Sequence, residues 1–320
     1  MSLIRNPLWR ERLRASALLA SLLLAVSAFA QKADTVPSLP MPSGADYERL
    51  RLLKEGRMTK VYVDMLRVDD SKDGQHFPPE MARLVDITPS GLTRLFTDTI
   101  LKSRRFEVYD LRSTVTAEQA DIVIDAQIIA ATQEFKPLEG GMQAAFTGVL
   151  LSVQMKDMYT GKYLFGTAVQ VEGKTGLVSG DRTVLAPGER IDDPGVRARL
   201  AVDYQHALRR AFVLAGQRIE SILRPQATIL AVDGNDIGIV GGQVQGFQGD
   251  DEFVVFRPKI VKLGQREVFA STKPVALIHC SSVATDTSQC SVVSRVADFE
   301  IQEGDFAIIT DGSLRKTRWE

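Results

Sequence analysis

The sequence predicts an α+β protein: a mixed-sheet α/β domain followed by a small all-β barrel domain. Three observations carry this. Phe146 to Gly173 (FTGVLLSVQMKDMYTGKYLFGTAVQVEG) alternates with a period of two on both sides of a turn, as a half-buried hairpin does. Ala201 to Leu223 carries one apolar stripe at helical spacing. Beyond Pro225 the pattern changes to six short strand-like runs separated by Gly-rich turns, the spacing of a small barrel or sandwich. The 320 residues suffice for two domains with their own cores. Apolar content of 44% and charged content of 25% are ordinary for a folded protein. A formal net charge of −1 gives no basic excess, so nucleic acid is not an expected partner.

Residues 1–30 read as a processing segment. Arg5, Arg10, Arg12 and Arg14 form a basic start, and Ala15 to Val26 an apolar run too short to span a bilayer comfortably. Ala28-Phe29-Ala30 fits the small-x-small cleavage rule, so cleavage is expected between Ala30 and Gln31. An uncleaved anchor helix is the competing reading, and the length and flanks argue against it. Removing four Arg and one Glu takes the net charge to −4. Gln31 offers no thiol, so N-terminal lipidation has no attachment point. The expected location is an exported compartment, most simply a periplasm.

Residues 31–56 hold Pro37, Pro40 and Pro42 and read as a linker. The α/β domain is placed at 57–224. Lys60 to Val68 is its first strand. A polar loop, Asp69 to Thr88, precedes a helix that Pro89 opens and Thr88 caps, since proline's missing N–H costs nothing at the first helical position. Leu92, Leu95, Phe96, Thr99 and Ile100 make its apolar face. Arg104 and Arg105 follow as solvated basic residues that complement the helix dipole. Phe106 to Leu111 and Asp121 to Ala131 are strands, the second with Ile122, Ile124, Ala126 and Ile128 on one face. Gln133 to Ala145 reads as a loop around Gly140-Gly141. The hairpin then follows, expected at the centre of the sheet, with Val149, Leu151, Val153 and Met155 on one strand and Tyr163, Phe165, Thr167, Val169 and Val171 sharing a face of the other. Lys174 to Arg199 reads as a long polar loop. The helix from Ala201 buries Tyr204, Leu208, Phe212 and Ile219 and turns Arg209, Arg210, Gln217, Arg218 and Glu220 outward. Arg224-Pro225 ends it.

The barrel is placed at 225–312, with strands at Ala227–Val232, Asp236–Val240, Glu252–Arg257, Pro274–Cys280, Gln289–Val296 and Asp305–Thr310. Residues 313–320 read as a loose polar tail. An oxidising compartment makes a Cys280–Cys290 disulfide the default, against two buried free thiols. Geometry strains that default. A tight turn at Thr285–Ser288 sets Cys290 opposite Val283 and leaves Cys280 three positions out of register.

No motif carries chemistry convincingly, so no catalytic, cofactor-binding or metal-ligating residue is assigned, and the protein is expected not to be an enzyme. Gly241-Gly242 to Gly249 lacks the spacing and the Lys-Ser/Thr of phosphate loops. Asp233, Asn235 and Asp236 lack the rest of a calcium loop. Asp250-Asp251-Glu252 could raise one carboxylate's proton affinity by like-charge repulsion, but reads as an exposed strand entrance. His206 has no matched partner for general-base work.

The order of elements resembles a known family. A strand at Lys60–Val68 leads through a helix into Lys102-Ser103-Arg104-Arg105-Phe106-Glu107-Val108, then Ala120-Asp121-Ile122-Val123-Ile124 and Asp157-x-x-Thr160-Gly161-Lys162. Over about residues 57 to 224 this is similar to the periplasmic α/β domain shared by the curli secretion protein G family, the N-terminal domain of TolB and the middle domain of flagellar assembly protein T. Ile229-x-x-Val232-Asp233-Gly234, Gly246-Phe247-x-Gly249-Asp250 and Ile301-x-x-Gly304-Asp305-Phe306-Ala307 resemble the C-terminal barrel of flagellar assembly protein T. The resemblance implies a non-enzymatic envelope scaffold, with the flagellar basal body as its most specific setting. The partners it implies are envelope or basal-body proteins, with peripheral outer-membrane association and ring or homo-oligomer formation as options. The alternatives are a curli-type or polysaccharide outer-membrane secretion component and an envelope hydrolase. No cofactor is implied.

Overall fold

The computed structural model describes residues 58–68, 88–171, 183–263, 266–296, 299–317 and 319. The expected leader, its Ala30–Gln31 cleavage site, the linker and part of the Lys174–Arg199 connection lie outside these residues. Among the described residues no helix is long and apolar enough to cross a membrane.

The first unit is built on a mixed sheet. β1 (Thr59–Val63) lies between β3 (Phe106–Tyr109) and β4 (Ile122–Pro137) and is parallel to both. β5 (Gln143–Asp157) runs antiparallel to β4, and β6 (Tyr163–Val171) antiparallel to β5, giving the order β3-β1-β4-β5-β6. Two-residue strands β2 (Arg67–Val68) and β7 (Val184–Leu185) pair with β4 and β5. Helix α1 (Pro89–Leu101) begins as the sequence predicts, with the Thr88 hydroxyl accepting from Gly91 N–H at 3.1 Å. Helix α2 (Pro194–Ile222) packs on β5, β6 and α1. Its Phe212 meets Phe96 of α1 with ring centroids 5.0 Å apart, at the centre of a core that includes Ile124, Leu151 and Met155. Each such fully buried side chain contributes about 2 kcal/mol by leaving water.

Four expectations for this unit are corrected. The β5–β6 hairpin is not central. β6 is the sheet's edge, and β4 holds the middle. Gln133 to Ala145 is not a loop, because β4 and β5 continue to Pro137 and Gln143 and turn through positive φ at Gly140 and Gly141. Helix α2 starts seven residues earlier than Ala201, where Pro194 occupies its first turn and Asp193 the N-cap position. Tyr163 does not share the inward face. A bulge sets it opposite Lys156 and sets Phe165 opposite Met155, so Leu164 packs against the core while Tyr163 is 67% exposed. A second bulge, between Ile128 and Ala130, keeps Ile128 and Ala131 both buried.

The second unit is a closed six-stranded barrel in the order β10-β11-β12-β9-β8-β13. Its strands are β8 (Gln226–Asp233), β9 (Asp236–Val240), β10 (Glu252–Leu263), β11 (Arg266–Val283), β12 (Thr287–Arg295) and β13 (Phe306–Ile309). All six expected strands are present. Phe253, Val255, Ile278, Ala307 and Ile309 fill the interior, where Phe247 and Phe253 lie 4.9 Å apart. Val254, Phe256, Phe306 and Ile308 are buried as well, so β10 and β13 are covered on both faces, which is why FVVF and FAII are continuous apolar runs.

Cys280 and Cys290 are directly opposed and their sulfurs are bonded. The register objection fails for two reasons: the turn is wider than expected, pairing Val283 with Ser288 and Ser282 with Gln289, which removes two of the three positions, and a bulge between Cys280 and Ser282 absorbs the third. The bridge closes a loop of ten residues' separation, so its reduction is expected to cost about 3 kcal/mol. Urea midpoints with and without a reductant measure this, and thiol counting on unfolded, unreduced protein is expected to find no free thiol.

The last residues are also not a loose tail. A one-turn helix α3 (Asp311–Leu314) is capped by Thr310, and Leu314, Thr317 and Trp319 are buried. Trp319 sits so close to Gly216 of α2 that a Cβ there would lie 2.5 Å from its ring.

Candidate functional site

Two turns of the barrel are built alike, and the difference between them makes the chain's least ordinary site. In Gln302–Asp305 the Asp305 carboxylate accepts from Gln302 N–H at 2.9 Å, and Gly304 takes positive φ. In Gln248–Asp251 the Asp251 carboxylate accepts from Gln248 N–H at 2.9 Å, and Asp250 takes positive φ. Each carboxylate also receives a two-pronged guanidinium. For Asp305 it is Arg257 of β10, at 3.0 and 2.9 Å. For Asp251 it is Arg105 of the α/β unit, at 2.9 and 3.0 Å. One turn is completed from within the barrel and the other from across the junction.

Arg105 is carried there by the end of α1. Arg104 adopts left-handed backbone, φ 56°, and reverses the chain. Arg104 stays exposed while Arg105 turns inward, with 1% of its side chain accessible. Its Nη1 also donates to Gly246 O at 3.1 Å, and its Nε lies 2.9 Å from Glu220 Oε1 of α2. That last contact is ionic and poorly aligned, since Nε makes no hydrogen bond. Glu220 accepts from the Thr317 hydroxyl at 3.0 Å, which ties in the C-terminal segment. Gln248 Nε2 donates to Ser103 O at 3.2 Å, and Lys102 Nζ to Trp319 O at 3.3 Å. Glu220 and Asp251 are 2% and 3% accessible. One guanidinium therefore faces two carboxylates out of water. Burial pushes the Glu220 carboxyl up to about 7 against the pull of Arg105 and Thr317, with Asp251 adding repulsion.

This overturns three expectations. Arg105 is not solvated, Glu220 does not face away from the core, and Asp251 is not part of an exposed strand entrance. Like-charge repulsion does act near Asp250-Asp251-Glu252, but on Glu220, a residue of another element. The sealed position of Glu220 also keeps this shifted carboxyl from any solvent-borne substrate.

Other candidates are consumed by structure. The amides of Gln243 and Val244 donate to Ala284 O and Thr285 O, so the Gly241–Gly249 stretch grips the β11–β12 turn. Asn235 accepts from Arg295, and Gly234 takes positive φ in the β8–β9 hairpin. His206 is exposed on α2. Among the described residues no group of His, Cys, Asp and Glu is placed to hold a metal.

The other distinctive surface is the margin of the sheet. β6 pairs with β5 on one side, and among the described residues no strand pairs with its other side. Tyr159, within the Asp157–Lys162 turn, and Tyr163, the first residue of β6 after it, are each 67% exposed. Asp157 fixes that turn by accepting from Tyr159 and Thr160 N–H groups at 2.9 and 3.1 Å. Beyond β6 the margin continues through β7 to the tip of the β4–β5 arm, where Val184, Leu138 and Met142 are exposed. Glu134 and Lys136 are exposed along the arm.

No family model matches the chain, and no curated protein matches it. Solved structures do. A PelC dodecamer from Paraburkholderia phytofirmans aligns at 12% identity and TM-score 0.26, over 50% of this chain and 87% of that one. A minor lipoprotein from Acinetobacter baumannii aligns at 7% identity and TM-score 0.28, over 50% and 94%. TolB from Acinetobacter baumannii aligns at 10% identity and TM-score 0.25, over 77% and 62%. Similarity at this level carries no functional argument.

Proposed function

We propose that the protein is a non-enzymatic periplasmic scaffold of the cell envelope that works by protein–protein contacts, with the flagellar basal body as its most specific setting. The observation that carries the reading is the margin of the α/β sheet. A nine-residue edge strand offers backbone donors and acceptors on its outer side, and two exposed tyrosines stand at its start. Edge strands of this kind recruit partners by adding a strand, with nearby aromatic side chains supplying contact area. Tyrosine suits the task because its ring loses little conformational entropy and its hydroxyl tolerates water. The leader supports export, and the order of elements supports kinship with envelope assembly proteins, with the basal body the narrower inference from the barrel signatures at Gly249-Asp250 and Gly304-Asp305.

The test is a crosslinked pull-down of the tagged chain from its native periplasm, with partners identified by mass spectrometry. Envelope proteins are expected with the wild type and are expected to be lost with Tyr159→Asp/Tyr163→Asp, whose side chains are too exposed to affect folding by much more than about 0.5 kcal/mol. Basal-body proteins among them select the flagellar setting. Secretion or polysaccharide-export proteins move the scaffold to another machine. An empty pull-down, or one unchanged by the double variant, rejects the sheet margin as the contact surface.

A further inference from the structure

We propose that the docking of the barrel on the α/β unit is a proton-linked latch, with Glu220 as the group that holds the proton when the two units are closed. The geometry requires a proton somewhere. Arg105 brings one positive charge to a site where Asp251 and Glu220 are both within 3 Å of its guanidinium and both out of water. Asp251 has the better claim to the charge. It is held by both guanidinium prongs and by the Gln248 amide, whereas Glu220 has a single poorly aligned contact and one hydroxyl. Two ionised carboxylates would leave an uncompensated buried charge, and such groups take up a proton instead.

The surrounding charges do not remove the need. From the end of α1, Lys102 is spent on Trp319 O. From the C-terminal segment, Lys316 is spent on Asp250 O. Asp250 itself points to solvent, with His279 Nε2 3.5 Å from its Oδ1. On α2, Arg224 pairs with Asp311 of α3. The strands beneath α2 contribute Val149, Leu151, Val153 and Met155, all apolar. Arg105 and Asp251 are the charged groups that decide the state of Glu220.

Burial carries the Glu220 carboxyl from an ordinary 4.5 up to about 7. The folded state therefore binds a proton that the open state releases. Stabilisation of the closed form is full below about pH 4.5 and is lost as the pH rises through about 7. The sealed junction joins three parts at once: the turn after α1, the Gln248–Asp251 turn and the C-terminal segment. Opening it exposes Trp319 as well as the ion cluster.

Trp319 is a built-in reporter, because the chain's second tryptophan, Trp9, lies far away in sequence and can be replaced by Phe. In the full chain carrying Trp9→Phe, Trp319 emission is expected to shift to the red as the pH rises from about 4.5 to about 7. Glu220→Gln, neutral at every pH, is expected to abolish the shift. His279→Gln and His206→Gln are expected to leave it in place. A shift that survives Glu220→Gln, or that moves with either histidine variant, overturns the proposal. Emission that is flat from about pH 4.5 to 8 overturns it too. If Glu220→Gln does not fold, the unsubstituted protein still decides. With ¹³C-labelled glutamate, one carboxyl is expected to titrate near pH 7, and a set that all titrates near its ordinary value refutes the latch.

Discussion

Replacing Arg105 with Met is expected to destabilise the protein by about 3–5 kcal/mol, several times the effect of breaking a surface pair. The methionine fills much of the volume, so packing is not the main loss. The loss is electrostatic. Asp251 and Glu220 remain within a site that is 2–3% accessible, with no guanidinium between them. Gly246 O and one face of the Gln248–Asp251 turn also lose their donor. Lysine is expected to recover only part of the deficit, because one ammonium cannot reproduce the planar fork that binds both Asp251 oxygens. Adding Glu220→Gln to Arg105→Met is expected to recover little at about pH 6, where Glu220 already holds a proton and Asp251 is the charge left without its guanidinium. Arg199→Met, which breaks the exposed pair with Glu189, is the control and is expected to cost under about 1 kcal/mol. Urea denaturation gives all four values on one scale. A change of about 1 kcal/mol or less for Arg105→Met would show that water or a rearranged side chain reaches the site.

How much of this was legible in the sequence depends on whether a feature is local. The barrel strands were readable because each is bracketed by its own turn chemistry, such as Asp233-Gly234 and Gly304-Asp305, and because FVVF and FAII are runs that only a strand covered on both faces tolerates. The α1 start was readable because Thr88 and Pro89 act within one turn. What failed was set by partners distant in sequence or by single-residue irregularities. Arg105 looked like a solvated end-of-helix residue because nothing near it reveals that Arg104 reverses the chain or that Asp251, 146 residues on, needs a donor. A signal did exist in the repeat of Gln-x-x-Asp at 248 and 302. Two equivalent turns call for two equivalent cations, and only Arg257 is supplied nearby. Bulges account for two further misses. One at Leu164 moved Tyr163 outward to the edge, and one near Ser281 brought Cys280 into register with Cys290. A period-two pattern has no way to announce an extra residue. The long β4–β5 arm was hidden for a different reason: Glu134, Lys136 and Gln143 are exposed, so that part of the hairpin carries no apolar alternation to read.

Gly246→Ala is the second large effect, expected at about 4 kcal/mol or more from the addition of a single methyl group. Left-handed backbone, φ 79°, accounts for only about 1–2 kcal/mol of this. The rest is contact. A Cβ on Gly246 would lie 2.5 Å from Arg105 Cα and 2.9 Å from Arg104 O, which is backbone meeting backbone across the junction. Gly216 offers the instructive contrast. Its added Cβ would come equally close to an atom, but that atom belongs to the Trp319 ring, near the end of the chain, which can swing aside. Gly234 would meet nothing, so Gly234→Ala carries only its backbone strain, φ 60°. The three alanine variants are therefore expected to rank 246 first, 216 second and 234 last. Gly246→Ala is further expected to split denaturant unfolding into two transitions. Each unit keeps its own apolar core, one around Phe96 and Phe212 and the other around Phe253, and neither core includes the junction's ions. The clash is relieved most cheaply by separating the units, which leaves both cores whole while the Arg105 contacts are lost. A single transition with an unchanged slope would mean instead that the Gln248–Asp251 turn yields and the two units stay joined.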